Sequence, residues 1–198
     1  MQLRNYNTND NSIFPFLPAI CRLSRSTREE AIHVFLRGST FMVSSYHNNM
    51  YFSALLQATD TYRSVRGLHF ENFQYFNRRR YPATTTTTTT TTNIDLELAA
   101  QCTGLKHITL RMRIGQLVTL TDRHQNEYVP IPVQSLWDRY VLDRLIACNG
   151  ITKVTIMRKG AFTDSSDQAI AALVAKIETE FKAVGRTVVA VDFKYYDW

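Results

Sequence analysis

At 198 residues the chain is long enough for one domain with a sizeable core, and too short for two unless both are small. Hydrophobic residues at 44% and charged residues at 20% exclude wholesale disorder, and a net charge of +6 favours acidic partners or nucleic acid in general without naming either. No apolar run reaches the length of a signal-peptide core or a membrane span, so the sequence reads as a soluble intracellular protein, cytoplasmic or nuclear.

Positions 1–12 form a polar tail, and 13–198 read as a single α/β domain. Pro18 suits the first turn of a predicted helix running to about Arg37, with Ile20, Leu23, Thr27, Ala31, Val34 and Phe35 on one face. Gly38 stops it, and Thr40-Phe41-Met42-Val43 is a first strand. A second helix, about Asn49 to Thr61, carries Phe52, Leu55, Leu56 and Thr59 and leads into a strand from Val65 to Phe70. Arg78, Arg79 and Arg80 then precede nine consecutive threonines, Thr84 to Thr92. Such a run cannot build a core and predicts a disordered or extended insertion at about 77–93.

A short helix from Asn93 to Gln101 enters a strand from Lys106 to Arg113, and Gln116 to Thr121 with Glu127 to Ile131 forms a hairpin. A helix from about Val133 to Cys148 puts Trp137, Tyr140, Val141 and Leu145 on one stripe and precedes a strand from Thr152 to Arg158. The last helix opens on a capping box of Ser165 and Gln168 and carries Ile170, Leu173, Val174, Ile177 and Phe181. Gly185 ends it, ahead of a final strand from Thr187 to Tyr196.

One apolar phrase recurs through this order: Val65, Leu68, Phe70; Leu105, Ile108, Leu110; Ile151, Val154, Ile156; Val188, Val191, Phe193. The middle copies align without a gap from Cys102 and from Cys148, each followed by a glycine two residues on. A helix precedes each copy, which predicts consecutive parallel strands joined by right-handed crossovers. The copies start at 65, 105, 151 and 188, spacings of 40, 46 and 37 residues, longer than the roughly 20 to 29 of ordinary leucine-rich repeats. The expected fold is α/β: helix-strand repeats with a mainly parallel sheet and helices chiefly on one face, leucine-rich-repeat-like, or a compact two-layer sandwich.

The stretch from Pro18 to Phe41 resembles a segment of uncharacterised fungal proteins of the F-box-like group. In that family an Arg-x-x-Arg-x-Glu-Ala helix ends in an aromatic residue and a short turn leads to a Thr-Phe strand; Arg25, Arg28, Glu30, Ala31, Phe35, Thr40 and Phe41 fit the pattern. The resemblance implies a repeat-like substrate-reading half. Family members open with an F-box-like helix pair that docks a ubiquitin-ligase adaptor; Met1 to Ser12 is too short and polar to supply it, so the F-box itself is expected to be missing. Arg25 and Glu29 stand at i,i+4, which suits a structural ion pair.

Catalytic signatures are not found. The 7 glycines form neither a phosphate loop nor a dinucleotide fingerprint, and the nucleophile elbow and the zinc-protease motif are missing, so no enzyme, cofactor or metal is expected. Cys21, Cys102 and Cys148 are far apart and away from paired histidines, which disfavours a disulfide framework or zinc site and suits small apolar fillers. The strongest candidate patch is His69 and His107 with Glu71 and Arg111, emerging on one sheet face, together with a basic and polar ladder at Arg66, Lys106 and Thr152. A hidden enzyme would need two or more of His69, His107, Glu71 and Asp192 in one enclosed pocket. The aromatic run from Phe70 to Tyr81 with Arg78, Arg79 and Arg80 makes nucleic acid the alternative ligand, but without an RNA-binding signature it stays secondary. The expected role is a non-catalytic protein-protein interaction module, a substrate-recognition or adaptor-like scaffold that acts through its sheet face and loops.

Overall fold

The computed structural model describes residues 24–73, 93–122, 127–159 and 163–195. The start of the predicted first helix, 18–23, the Arg78 to Arg80 cluster and the threonine run therefore lie outside the described residues.

Helix α1 (Arg25–Gly38) starts where Ser24 caps it, its hydroxyl accepting from the Thr27 amide. The buried stripe is turned from the predicted one: Ile32 and Leu36 are buried, one turn apart, with Ala31 and Phe35 packed beside them, while Val34 faces outward. Strand β1 (Thr40–Val43) follows directly. Helix α2 (Tyr46–Thr59) begins three residues before the predicted Asn49, because Ser45 offers the cap. Asp60, in the left-handed region, closes it with its amide on the carbonyls of Leu56 and Gln57.

A short 3-10 turn (Tyr62–Ser64) leads to β2 (Gly67–Phe70). Helix α3 (Ile94–Gln101) is capped by buried Asn93, which also donates to the Tyr140 carbonyl at 2.7 Å. Strand β3 (His107–Arg113) ends in a 3-10 turn (Ile114–Gln116) and then the hairpin of β4 (Val118–Asp122) and β5 (Glu127–Pro130).

The single helix expected from Val133 to Cys148 is two: α4 (Val133–Tyr140) and α5 (Asp143–Ala147), broken at Val141, whose φ is 52°. A β-branched residue there is strained, and the neighbouring contacts hold it: Tyr140 donates to the Gln116 carbonyl and accepts from Asn93. Strand β6 (Lys153–Lys159) follows. Helix α6 (Asp164–Ala183) is capped by Thr163 with Ser166, two residues upstream of the box predicted at Ser165. Strand β7 (Val189–Tyr195) completes the described chain.

The main sheet runs β1-β2-β3-β6-β7, every neighbour parallel. Sequential order with right-handed crossovers puts the helices of all connections on one side. Side chains agree: Phe41 of β1 stacks on Phe52 of α2 and meets Phe35 of α1 edge-on, and Arg158 of β6 binds Asp167 of α6. The core lies between, lined by Leu68 and Phe70, Ile108, Leu110 and Met112, Val154 and Ile156. Burying each such side chain contributes roughly 1.5–3 kcal/mol before chain entropy is counted.

The repeat sets the register across the middle of the sheet. Ile108 pairs with Val154 and Leu110 with Ile156, an in-frame offset equal to the repeat spacing. The Arg66 carbonyl accepts from both Lys106 and His107 amides, and the Lys106 carbonyl from both Thr152 and Lys153 amides. The fourth copy of the phrase is out of frame by one residue: Val154 pairs with Ala190 and Ile156 with Asp192. A one-residue slip exchanges the two faces, so Ala190 is buried on the helix side and Asp192 points there too.

Candidate functional site

The side of the sheet away from the helices is the candidate surface. Strand alternation places on it Thr40 and Met42 of β1, Gly67 and His69 of β2, His107, Thr109, Arg111 and Arg113 of β3, Lys153, Thr155 and Met157 of β6, and Val189 and Val191 of β7. The register aligns them in rows: His107, Lys153 and Val189 form one, and His69, Thr109, Thr155 and Val191 the next. His107 and Lys153 are exposed, and Val189 is 57% exposed; the second row is half-buried.

Three predicted residues come together above these rows. Glu71, one residue past β2, donates its amide to the Val43 carbonyl and so extends the strand, which brings its carboxylate onto the buried Arg111 guanidinium. His69, two residues earlier on the same face, has its Nε2 3.6 Å from the other Glu71 oxygen. Both of those atoms are buried without a hydrogen-bond partner. His107 shares the face but sits one strand over and two residues down from His69.

Burial pushes the His69 imidazole below its usual 6.5, opposed by the Glu71 carboxylate and reinforced by Arg111. The folded chain therefore holds this proton less tightly than the unfolded chain does. Above pH 6.5 both states are neutral and the contribution to stability is flat. Below it the unfolded state takes up the proton first, and stability falls until pH passes the lower folded value. His69→Gln should flatten that part of the curve relative to the wild type; urea midpoints measured from pH 8 to pH 5 check it. Parallel curves for the two proteins would mean that His69 is not the titrating group.

Arg66 is placed differently from the expected ladder. Its guanidinium donates to the Gly104 carbonyl at 2.6 Å, bracing the turn before β3, and Arg186 braces the equivalent turn before β6 through the carbonyls of Ile146 and Cys148. Lys106 and Thr152 are exposed in those turns. Of the residues carrying the F-box-like resemblance, Phe41 is buried and packs against half-buried Phe35, Ala31 is half-buried, and Arg28, Glu30 and Thr40 are exposed. The Arg25 side chain, like Arg78, Arg79 and Arg80, lies outside the described residues.

Sequence reasoning missed the most buried ion cluster. Arg158 has no exposed surface, yet it grips Asp192 through Nε at 2.9 Å and through Nη2, and Asp167 through Nη1. This cluster stands on the helix side, which separates Asp192 from His69 and Glu71; of the four residues named for a hidden enzyme, His69 and Glu71 stand together, His107 lies one strand over and Asp192 is on the other side of the sheet. Asp192 in the last strand, with Arg158 at a core parity of β6, was the available signal.

His33 Nδ1 lies 2.7 Å from Ser64 Oγ, a nucleophile-base contact in form. Ser64 is wholly buried, so no substrate reaches it, and the pair ties α1 to the turn before β2. Cys102 and Cys148 cap α3 and α5 in nearly the same backbone conformation. Burial pushes their thiols up, to about 12 and about 11, with the neighbouring Cys148 adding to the rise at Cys102. They remain protonated and fill space. Among the described residues no group of three or more His, Cys, Asp or Glu could hold a metal ion, and no helix is long and apolar enough to cross a membrane.

No protein family, curated protein or solved structure matches this chain.

Proposed function

We propose that the chain is a non-catalytic interaction module that binds a protein partner on the sheet face away from its helices. It would serve as a substrate-recognition or adaptor-like scaffold of the F-box-like kind, within the cell. One observation carries the reading: the edge of this face where β3, β6 and β7 begin presents a row of exposed, chemically mixed side chains, His107, Lys153 and Val189, from three adjacent strands. Rigid strands hold such a row in fixed geometry, which suits recognition better than a mobile loop does. The F-box-like resemblance of Arg28, Glu30, Ala31, Phe35, Thr40 and Phe41 supports the same role.

The test is co-purification from native extract with Thr155→Arg as the blocked form. Thr155 lies in the centre of the face, half-buried between Thr109 and Val191, so a long cation there obstructs any molecule laid across the strands. A stoichiometric partner should accompany the wild type and be lost from Thr155→Arg, with the melting curve unchanged. A partner retained by the variant would place binding elsewhere on the molecule. A ubiquitin-ligase adaptor in the eluate would support recruitment, and its loss with the variant would place adaptor docking on this face.

A further inference from the structure

The exposed row has two halves of different chemistry. At the β3 and β6 end, His107 and Lys153 are cross-strand neighbours, and among the described residues neither side chain is held by a hydrogen bond or an ion pair. Adjacent strands are about 4.8 Å apart, so the imidazole and the ammonium reach the same small anion. Lys106, exposed one residue before β3, adds charge at this edge. Glu71 is the only carboxylate among the described side chains of the face, and Arg111 occupies it. The positive charge is therefore uncompensated where a ligand would lie.

At the β7 end the chemistry changes within one strand spacing. Val189, beside Lys153, is exposed, and Val191 stands two residues on beside Thr155. Thr109 and Thr155, paired across β3 and β6, supply two hydroxyls one row along the strands from the cationic pair, with Thr155 beside Val191. Hydroxyls in that position can donate to or accept from a peptide backbone.

We propose that the partner lays an acidic segment across β3, β6 and β7, with a carboxylate on Lys153 and His107 and an apolar side chain on Val189 and Val191. This rests on the reading of the face as the interaction surface and names the chemistry of its partner. Nucleic acid fits less well: a backbone of phosphates would meet valines after two strands.

The probe is a fluorescein-labelled, capped peptide Glu-Glu-Leu-Leu-Glu-Glu, titrated with the whole chain at low and high salt. It should bind the wild type, weaken as salt rises, and lose about tenfold in affinity in Lys153→Glu and again in Val189→Asp. Lys182→Glu changes the net charge equally at an exposed position on α6 and should leave binding unchanged. Equal binding of the lysine-for-glutamate peptide would overturn the proposal. So would an equal loss in Lys182→Glu, which would mean general charge attraction, or tighter binding of a single-stranded oligonucleotide. If a native partner is lost with Thr155→Arg but retained by Lys153→Glu and Val189→Asp, the face is the interaction surface and only the acidic-apolar assignment falls. If the peptide binds Thr155→Glu, which puts a like charge at the centre of the face, as well as the wild type, the face itself is wrong.

Discussion

Gly104→Ala is expected to unfold the chain far more readily than any surface substitution, while Gly38→Ala should stabilise it slightly. A Cβ on Gly104 would stand 2.0 Å from the Arg63 carbonyl oxygen and 2.6 Å from Arg66 Nη1. The first contact is with backbone, so relief requires moving the turn before β2 away from the turn before β3. That movement breaks the shared bonds from the Lys106 and His107 amides to the Arg66 carbonyl and the brace from Arg66 to Gly104. The cost should be about 3 kcal/mol, the upper end of overpacking effects, read as a drop in the urea midpoint. Gly150→Ala should follow the same course one unit later, since its Cβ would meet the Leu105 carbonyl oxygen at 2.5 Å. Gly38 has nothing within 4 Å and ends α1, so alanine there gains about 0.5 kcal/mol through helix propensity. Equal effects at Gly104 and Gly38 would show that the repeat turns are not stacked this closely.

These glycines explain why much of the fold was legible beforehand. Cys-x-Gly before an apolar strand recurs because each turn abuts the backbone of the unit before it, and only a residue without Cβ fits. The offset of 40 that aligns Leu68 with Ile108 also sets Glu71 opposite Arg111, so strand alternation put both on one face, and the structure shows them paired. What escaped was decided at long range or by crowded local choices. Thr163, Asp164, Ser165 and Ser166 offer several caps in succession, and the pattern does not select among them. Val141 carries no sequence mark of a left-handed turn; contacts from Asn93 and Gln116 impose it on the adjoining Tyr140. Val188, Val189, Ala190 and Val191 are apolar at both parities, so periodicity cannot say which face of β7 is buried.

Asp192 makes that choice, and removing it should have two separable consequences. In Asp192→Ala the guanidinium of Arg158, wholly buried, loses its two-point partner and keeps Asp167. Arg158 is buried but the Asp192 side chain is 31% exposed, so the loss stays below that of a fully buried pair, about 2 kcal/mol, the cost of a desolvated charge that keeps a partner. Replacing both, as Arg158→Met with Asp192→Leu, removes the charge and fills the volume with apolar atoms; stability should return to within about 1.5 kcal/mol of the wild type. A double variant no more stable than the single would show that the loss comes from packing and not from a stranded charge. Recovery of stability need not restore a unique structure. With leucine at 192, the frame that pairs Val154 with Val191 competes with the native frame that pairs it with Ala190, since nothing polar then penalises the slip. Amide resonances of β7 should therefore double in the double variant while remaining single in the wild type. A single set, with the Val154 to Ala190 pairing intact, would mean that the valines fix the register by packing alone and that the buried arginine contributes stability without specificity.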